Sequence, residues 1–336
     1  MKNQLLPKNY KPLLSLIETE KAIKTLKDFF ERNLAQTLNL NRVSAPLFLP
    51  TNSGLNDNLN GYENPVEFNI NALPNEKIEI IHSLAKWKRL ALKRYGYLEN
   101  EGLYTDMNAI RTAETLDNLH SIYVDQWDWE KIISTSNRSF NFLQVIVKDI
   151  YKVFKNTEQF INSNYENISP KLPNDIYFIS TQELEDRFPT LSPKEREHAI
   201  TKEHKAVFLH QIGNTLKSGK KHDGRAPDYD DWNLNGDILF WYPLLNTSIE
   251  LSSMGIRVDS TQLKHQLEKE NCLNRLNFSF HKELSNNNLP QTIGGGIGQS
   301  RICMFFLQKA HIGEVQSSIW TPEIIKTCYE NNIDLL

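Results

Sequence analysis

Near the carboxyl end the sequence runs Gly294, Gly295, Gly296, Ile297, Gly298, Gln299, Ser300, Arg301 and then turns apolar with helical spacing. Residues without side chains let backbone approach a partner closely while offering no packing surface of their own, so this run narrows the possible folds sharply. It reads as a glycine-rich turn feeding a helix whose first turn carries an arginine. Gly294, Gly296 and Gly298 could bring backbone against a nucleotide and Arg301 could lie on its base, which points to ATP. Two other glycine motifs are excluded: no lysine follows, as a P-loop requires. Where the dinucleotide fingerprint needs its third glycine, Gln299 or Arg301 stands. A helix packed closely on a sheet, with Arg301 as a surface cation, fits the same residues.

The chain is long enough, at 336 residues, to bury a large core as one big domain or two ordinary ones. Its formal net charge of -3 weighs against a protein built mainly to grip a phosphate backbone. Cys272, Cys303 and Cys328 are odd in number, far apart and without a CxxC pair. Neither a disulfide framework nor a zinc site is therefore expected, and a reducing cytoplasm fits. The amino-terminal lysines precede no apolar stretch long enough for a signal peptide, and no run approaches membrane-spanning length. A soluble protein with no membrane partner is expected.

Apolar residues at helical spacing, among them Ile23, Leu26, Phe30, Leu34 and Leu38, predict one long amphipathic helix over about 13–38. Residues 42–49 then read as an extended, proline-marked edge segment, and a helix followed by an edge strand often builds a subunit interface. Strands are expected at 67–73 and 78–81, followed by a helix over 84–94 capped by Ser83. Residues 102–111 and 119–130 read as a strand, loop and strand hairpin. From about 131 to 203 the pattern is mostly helical and punctuated by prolines. It reads as an insertion packed beside the sheet, within one catalytic domain spanning 1–336. Strands return at 206–211, 236–242 and 248–254, before a helix over 261–268. Strand runs joined by hairpins, with helices between them, predict an α+β fold with a mostly antiparallel sheet flanked by helices.

Polar residues cluster at four places. Gln126 and Asp128 alternate with Trp127 and Trp129, so the two polar side chains share one strand face and could bind an ammonium group, or simply form a solvated face. Ser83 and Lys88 open a helix, where a lysine can pair with a carboxylate or belong to an ordinary cationic face. Asp237 and Glu250 sit early in consecutive strands, where a hairpin could join their carboxylates. Paired oxygens without Cys or His suit magnesium, although isolated charges at strand ends fit too. Ser253 and Arg257 extend that patch. The charge-dense segment 220–232 is either a substrate lid or an exposed loop.

Taken together these clusters resemble the catalytic core of class II aminoacyl-tRNA synthetases, most closely the aspartate and asparagine enzymes. The helix and the following strand with Val43 and Pro46 look like the first class motif, which lies at the dimer interface in that family. Arg111 and its hairpin look like the second, whose arginine contacts the α-phosphate. The stretch GIGQSR, with Gly296, Gly298 and Arg301, looks like the third, whose arginine stacks on adenine. Ser83 with Lys88 resembles the substrate lysine segment, and Glu250 with Arg257 resembles the metal glutamate and substrate arginine. One departure is Ala113, with Glu114 one further on, where the family carries Glu two residues after its arginine. No basic anticodon-binding module precedes the core, so no nucleic-acid partner is expected.

Over more of the chain the stretches HSLAKWKR, EGLYT, HSIYVDQWDWE, RAPDYDDW, LNGDI, ELSSMGIRVD and PQTIGGGIGQSR resemble the ammonia-dependent aspartate–ammonia ligase family. That resemblance implies that L-aspartate and ATP form a β-aspartyl adenylate with loss of pyrophosphate, and that ammonia displaces AMP to give asparagine. Aspartate then binds end for end relative to the tRNA synthetases, with Lys88 and Arg257 on its α-carboxylate. Asp57, Asp128 and Gln126 are the candidates for binding the α-ammonium or steering ammonia, and Ser253 and Asp230 for second contacts. Arg111 would serve the α-phosphate, Asp237 and Glu250 magnesium, and Arg301 adenine. A homodimer through 13–50 is implied. Glutamine-dependent synthetases use a cysteine nucleophile, and the three cysteines here all lie far downstream of the amino terminus, so ammonia is the expected nitrogen donor. A catalytically inactive paralogue that senses an aminoacyl adenylate is the alternative; it would lack Arg111, Asp237, Glu250 or Arg301, and all four are present.

Overall fold

The computed structural model describes residues 7, 9–57, 63–168 and 171–336, so 58–61 of the polar loop at 51–61, and Pro170, lie outside the described residues. Helix α1 (Leu16–Leu38) starts where Ser15 and Glu18 cap each other reciprocally and stops at Asn39, whose left-handed backbone (φ 58) turns the chain into β1 (Leu40–Arg42). Its Leu26, Phe30, Leu34 and Leu38 are buried, as the spacing predicts, whereas Ile23 is half-buried and its neighbour Ala22 is buried instead. Strands β2 (Phe48–Pro50), β3 (Glu67–Asn69) and β4 (Lys77–Ile80) form a small separate sheet. The predicted strand at 67–73 ends at Asn69 because Leu73 turns back to hydrogen-bond Ile70.

Helix α2 (Ala85–Tyr95) lies against the hairpin of β5 (Gly102–Ile110) and β6 (Tyr123–Ile132). Ser83 is not its cap: Leu84 holds that position without a side-chain bond, and the Ser83 hydroxyl accepts from Ala85 N instead. After α3 (Phe140–Asn164) come β7 (Tyr177–Ser180), α4 (Thr181–Arg187) and α5 (Pro193–His204). The 131–203 stretch is thus not wholly beside the sheet. Its first two residues finish β6, and β7 pairs in parallel with β8 (Ala206–His210) at the sheet's far edge. The chain continues through β9 (Asp230–Tyr242), β10 (Thr247–Arg257), α6 (Ser260–Lys269), α7 (Ser279–Ser285), β11 (Thr292–Gly298), α8 (Gln299–Phe306) and α9 (Pro322–Glu330).

Eight strands form the main sheet in the order β1-β5-β6-β11-β10-β9-β8-β7, antiparallel except for the two outermost pairs. The architecture is α+β. One sequence expectation fails here in an informative way: the glycines are not a turn. Residues 292–298 form a strand at the centre of the sheet, bonded to β6 on one side and β10 on the other, and α8 begins directly after it. Strand β9 also starts at Asp230, so Asp237 lies mid-strand and the end of the 220–232 segment is sheet rather than loop.

One face of the sheet is sealed by α1, α3 and α8. Trp127 and Trp129 point into that layer, where Phe30 stacks on Trp127 at 4.9 Å and Phe154 meets Phe240 edge-on at 5.1 Å. Period-two alternation sends Gln126 and Asp128 to the other face.

Candidate active site

Cross-strand partners carry their side chains on the same face, so register alone assembles the floor of a cavity. One row runs Asp128, Gly296, Ser253, Asp237 across β6, β11, β10 and β9. A second runs Glu130, Gly294, Gly255, Asn235, and beyond a register shift Arg257 pairs with Asp230. Glycine in the middle of each row leaves room for the long side chains beside it. A Cβ on Gly296 would stand 2.5 Å from Gln126 Oε1 and 2.8 Å from Asp128 Oδ1; one on Gly294 would meet Glu130 Oε2 at 2.0 Å. Gly294 and Gly296 make room for Glu130, Gln126 and Asp128 rather than meeting a conformational need, since none of Gly294, Gly295, Gly296 and Gly298 has a positive φ.

Into this floor α2 sends Lys88, whose side chain is 1% exposed. Its Nζ donates to Gly295 O at 3.1 Å and stands 3.5 Å from Asp128 Oδ1 and 3.9 Å from Glu130 Oε2. Burial pushes the lysine's pKa down, against the pull of those two carboxylates. Glu130 accepts from Arg257 through both oxygens (Nη2 at 2.7 Å, Nε at 3.0 Å) and from Thr292 Oγ1 at 2.7 Å. Burial alone would raise its pKa, but the Arg257 guanidinium outweighs that and holds the carboxyl below its ordinary range. The other arm of Arg257 donates to Asp230. Asp57 lies above them, accepting from Tyr229 OH at 2.9 Å.

At the opposite end Arg301 donates to Glu250 O at 3.0 Å and lies 3.9 Å from the same residue's carboxylate. Burial raises Asp237 to about 6; Arg225 opposes that shift and the negative charge of Glu250 adds to it. Two carboxylates on neighbouring strands that repel each other suit a divalent cation. Among the described residues no cluster of three or more metal-ligating side chains occurs. Arg111, at the end of β5, has a buried Nε without a hydrogen-bond partner.

The cavity measures about 350 Å3. Every candidate site residue named from the sequence lines it except Gly294, which lies against Glu130. Ser83, Lys88, Asp128 and Arg257 stand at one end with Asp57 and Asp230; Gln126, Arg111, Ser253, Asp237, Glu250 and Arg301 continue it. Sequence reasoning missed three residues. Glu130 continues the period-two face of Gln126 and Asp128, and that signal was available. Arg225 and Tyr229 lie in the charge-dense segment, where only the fold shows which side chains turn inward. None of the three cysteines lines the cavity.

The profile of the family described as aspartate-ammonia ligase matches residues 17–332. Aspartate–ammonia ligase of Ruminiclostridium cellulolyticum is 60% identical over 336 residues, covering 100% of both chains. That of Clostridium perfringens is 62% identical over the same span, also 100% of both, and that of Lactobacillus johnsonii 58% over 333 residues, 99% of each. Among solved structures, asparaginyl-tRNA synthetase from Pyrococcus horikoshii, complexed with asparaginyl-adenylate, superimposes with a TM-score of 0.65 at 13% identity, over 89% of this chain and 68% of that one. Aspartyl-tRNA synthetase from Entamoeba histolytica gives 0.60 at 12% identity, over 89% and 58%. At such identities the two structures speak for a shared fold, that of class II synthetases.

Proposed function

The chain belongs to the aspartate–ammonia ligase family, and from that premise we propose that it joins L-aspartate and ammonia into L-asparagine at the expense of ATP, through a β-aspartyl adenylate. The observation that carries this reading is the single cavity whose two ends differ in chemistry. Lys88 and Arg257 rise from an acidic floor at one end, while Arg111, Arg301, Asp237 and Glu250 gather at the other. An amino acid at the first and a triphosphate at the second would meet over the Asp128–Gly296–Ser253–Asp237 row.

In this reading Lys88 and Arg257 hold the α-carboxylate and leave the β-carboxylate facing the nucleotide. A β-carboxylate oxygen attacks the α-phosphorus, and the bond to the pyrophosphate leaving group breaks. Arg111 stabilises charge on the α-phosphate and Arg301 lies against adenine. Asp237 and Glu250 would hold magnesium, which would neutralise phosphate charge. Ammonia then attacks the activated carbonyl carbon, the bond to AMP breaks, and nitrogen gives up a proton. Asp57, Asp128 and Gln126 bind the α-ammonium and steer the incoming ammonia, with Ser253 and Asp230 as second contacts. Positioning and electrostatics supply the catalysis, with no covalent enzyme intermediate. Since no cysteine lines the cavity, free ammonia rather than glutamine is the donor.

We further infer a cytoplasmic homodimer formed through 13–50, working as one catalytic domain per chain. Leu13, Leu16, Ile17, Leu47 and Phe48 support the dimer, because they leave apolar surface exposed along that helix and edge segment. A sedimentation mass equal to the 39.0 kDa chain would refute it. Among the described residues no helix is long and apolar enough to cross a membrane. The activity is tested by mixing protein, magnesium, ATP and aspartate with and without ammonium. AMP together with asparagine is expected; ADP, turnover independent of ammonium, or equal use of glutamine would overturn the reading.

A further inference from the structure

Arg225 enters the phosphate end of the cavity from the charge-dense segment, and the mechanism above leaves it without a task. Its guanidinium donates through Nη2 to Asp237 Oδ1 at 2.6 Å and through Nη1 to Ser253 Oγ. Its Nε is buried without a hydrogen-bond partner, 3.9 Å from Asp230 Oδ2. The carboxylate it engages is one of the two assigned to magnesium. A guanidinium and a divalent cation on the same carboxylate repel each other strongly where water is excluded.

The backbone on either side of Arg225 is tied down. His222 Nε2 pairs with Glu197 at 3.0 Å, and Ala226 O accepts from Trp232 Nε1 at 3.3 Å. Re-aiming Arg225 is therefore a side-chain rotation rather than the opening of a loop. An arginine favours phosphate oxygens at least as well as a lone carboxylate, through paired N–H donors.

We propose that Arg225 competes with the divalent cation for Asp237, so that the metal binds with the nucleotide and not ahead of it. The triphosphate resolves the competition twice over, giving the displaced guanidinium an anionic partner and completing the coordination that two protein carboxylates leave open. By linkage, the factor by which nucleotide strengthens metal binding equals the factor by which metal strengthens nucleotide binding. The inference rests on the ligase reading for the position of the triphosphate.

The test titrates Mn2+, followed by the EPR signal of the free ion, into wild type, Arg225→Gln and Arg225→Lys, with and without α,β-methylene-ATP. In wild type the analogue should strengthen Mn2+ binding by about five- to 150-fold, the usual range of coupling between two sites. Arg225→Gln should bind Mn2+ alone at least about fivefold more tightly than wild type, and the gain from the analogue should shrink to match. Arg225→Lys, which keeps the charge but loses the fork that bridges Asp237 and Ser253, should fall between the two. Wild-type Mn2+ affinity indifferent to the analogue, or variant titrations that superimpose on wild type, would overturn the proposal. If thermal unfolding shows Arg225→Gln to be misfolded, the Arg225→Lys titration decides by the same criterion. Ammonium-dependent AMP formation by the wild type is measured alongside. AMP production with superimposed Mn2+ titrations defeats the Arg225 proposal alone, whereas no AMP defeats the ligase reading and this proposal with it.

Discussion

Adjacent glycines of β11 should respond to alanine in opposite ways, and the coordinates say why. A Cβ on Gly296 would sit 2.5 Å from Gln126 Oε1 and 2.8 Å from Asp128 Oδ1, the first roughly 1 Å short of the 3.4 Å at which ordinary contact begins. Both obstructing atoms are the far ends of side chains that can rotate away. The overpacking cost of about 1–3 kcal/mol is then partly offset by the ~0.4–1 kcal/mol that Gly→Ala removes from unfolded-chain entropy, so stability should change little. Function should suffer far more, because the displaced groups are two of the side chains proposed to steer substrate. A shift of about 1 Å at such groups costs on the order of 100-fold in rate. A Cβ on Gly295 instead meets Ser253 O and Met254 Cβ, both at 2.6 Å, in the neighbouring central strand. Backbone there cannot yield without breaking the sheet, so about 3 kcal/mol or more of stability should be lost. Thermal unfolding and ammonium-dependent AMP formation, measured on both variants, separate the effects. Gly296→Ala with wild-type kcat/KM, or Gly295→Ala as stable as wild type, would refute the reasoning.

Glu130→Gln leaves Arg257 and Lys88 in a buried floor without their shared counter-charge; denaturant unfolding should show a loss of about 3–5 kcal/mol, and a neutral result would remove Glu130 from its anchoring role. Lys88→Ala should raise the KM for aspartate far more than that for ATP in steady-state assays, and equal losses would contradict its place at the amino-acid end. Stability should fall on acidification because burial lowers both His210 and His311 from 6.5 to about 4. Between those values the unfolded chain takes up protons that the folded chain refuses, so the contribution is complete above about pH 6.5 and lost as pH falls toward 4, at up to ~3 kcal/mol per histidine. His210→Phe, which keeps an aromatic ring beside Phe140, should flatten the fall of Tm between pH 7 and 5; an unchanged slope would exclude His210 as a source.

Much of the scaffold was written in short-range pattern. Ser15 with Glu18 and the spacing from Leu26 to Leu38 specify α1, and the alternation of Gln126 and Asp128 with Trp127 and Trp129 assigns each side chain to its face. Ser83 misled because a hydroxyl near a helix start can accept from the backbone without holding the cap position. Asp237 was placed too early in its strand because Asp230 and Asp231, dense in charge, look like loop until Arg257 and Arg138 neutralise them.

By itself the sequence determined which strand face Gln126, Asp128, Trp127 and Trp129 occupy, since that follows from a two-residue period, while the candidate residues of an adenylate-forming site came from its resemblance to the class II synthetases. Tertiary structure decided what the glycines are for. Glycine favours turns and is depleted in strands, so local propensity pointed to a turn and away from the central strand that forms. The choice falls to partners 162 to 207 residues away: Thr292 bonded to Glu130 and Gly295 bonded to Lys88. Long-range register, which no local pattern encodes, set Gly296 between Asp128 and Ser253 and turned Arg225 onto Asp237.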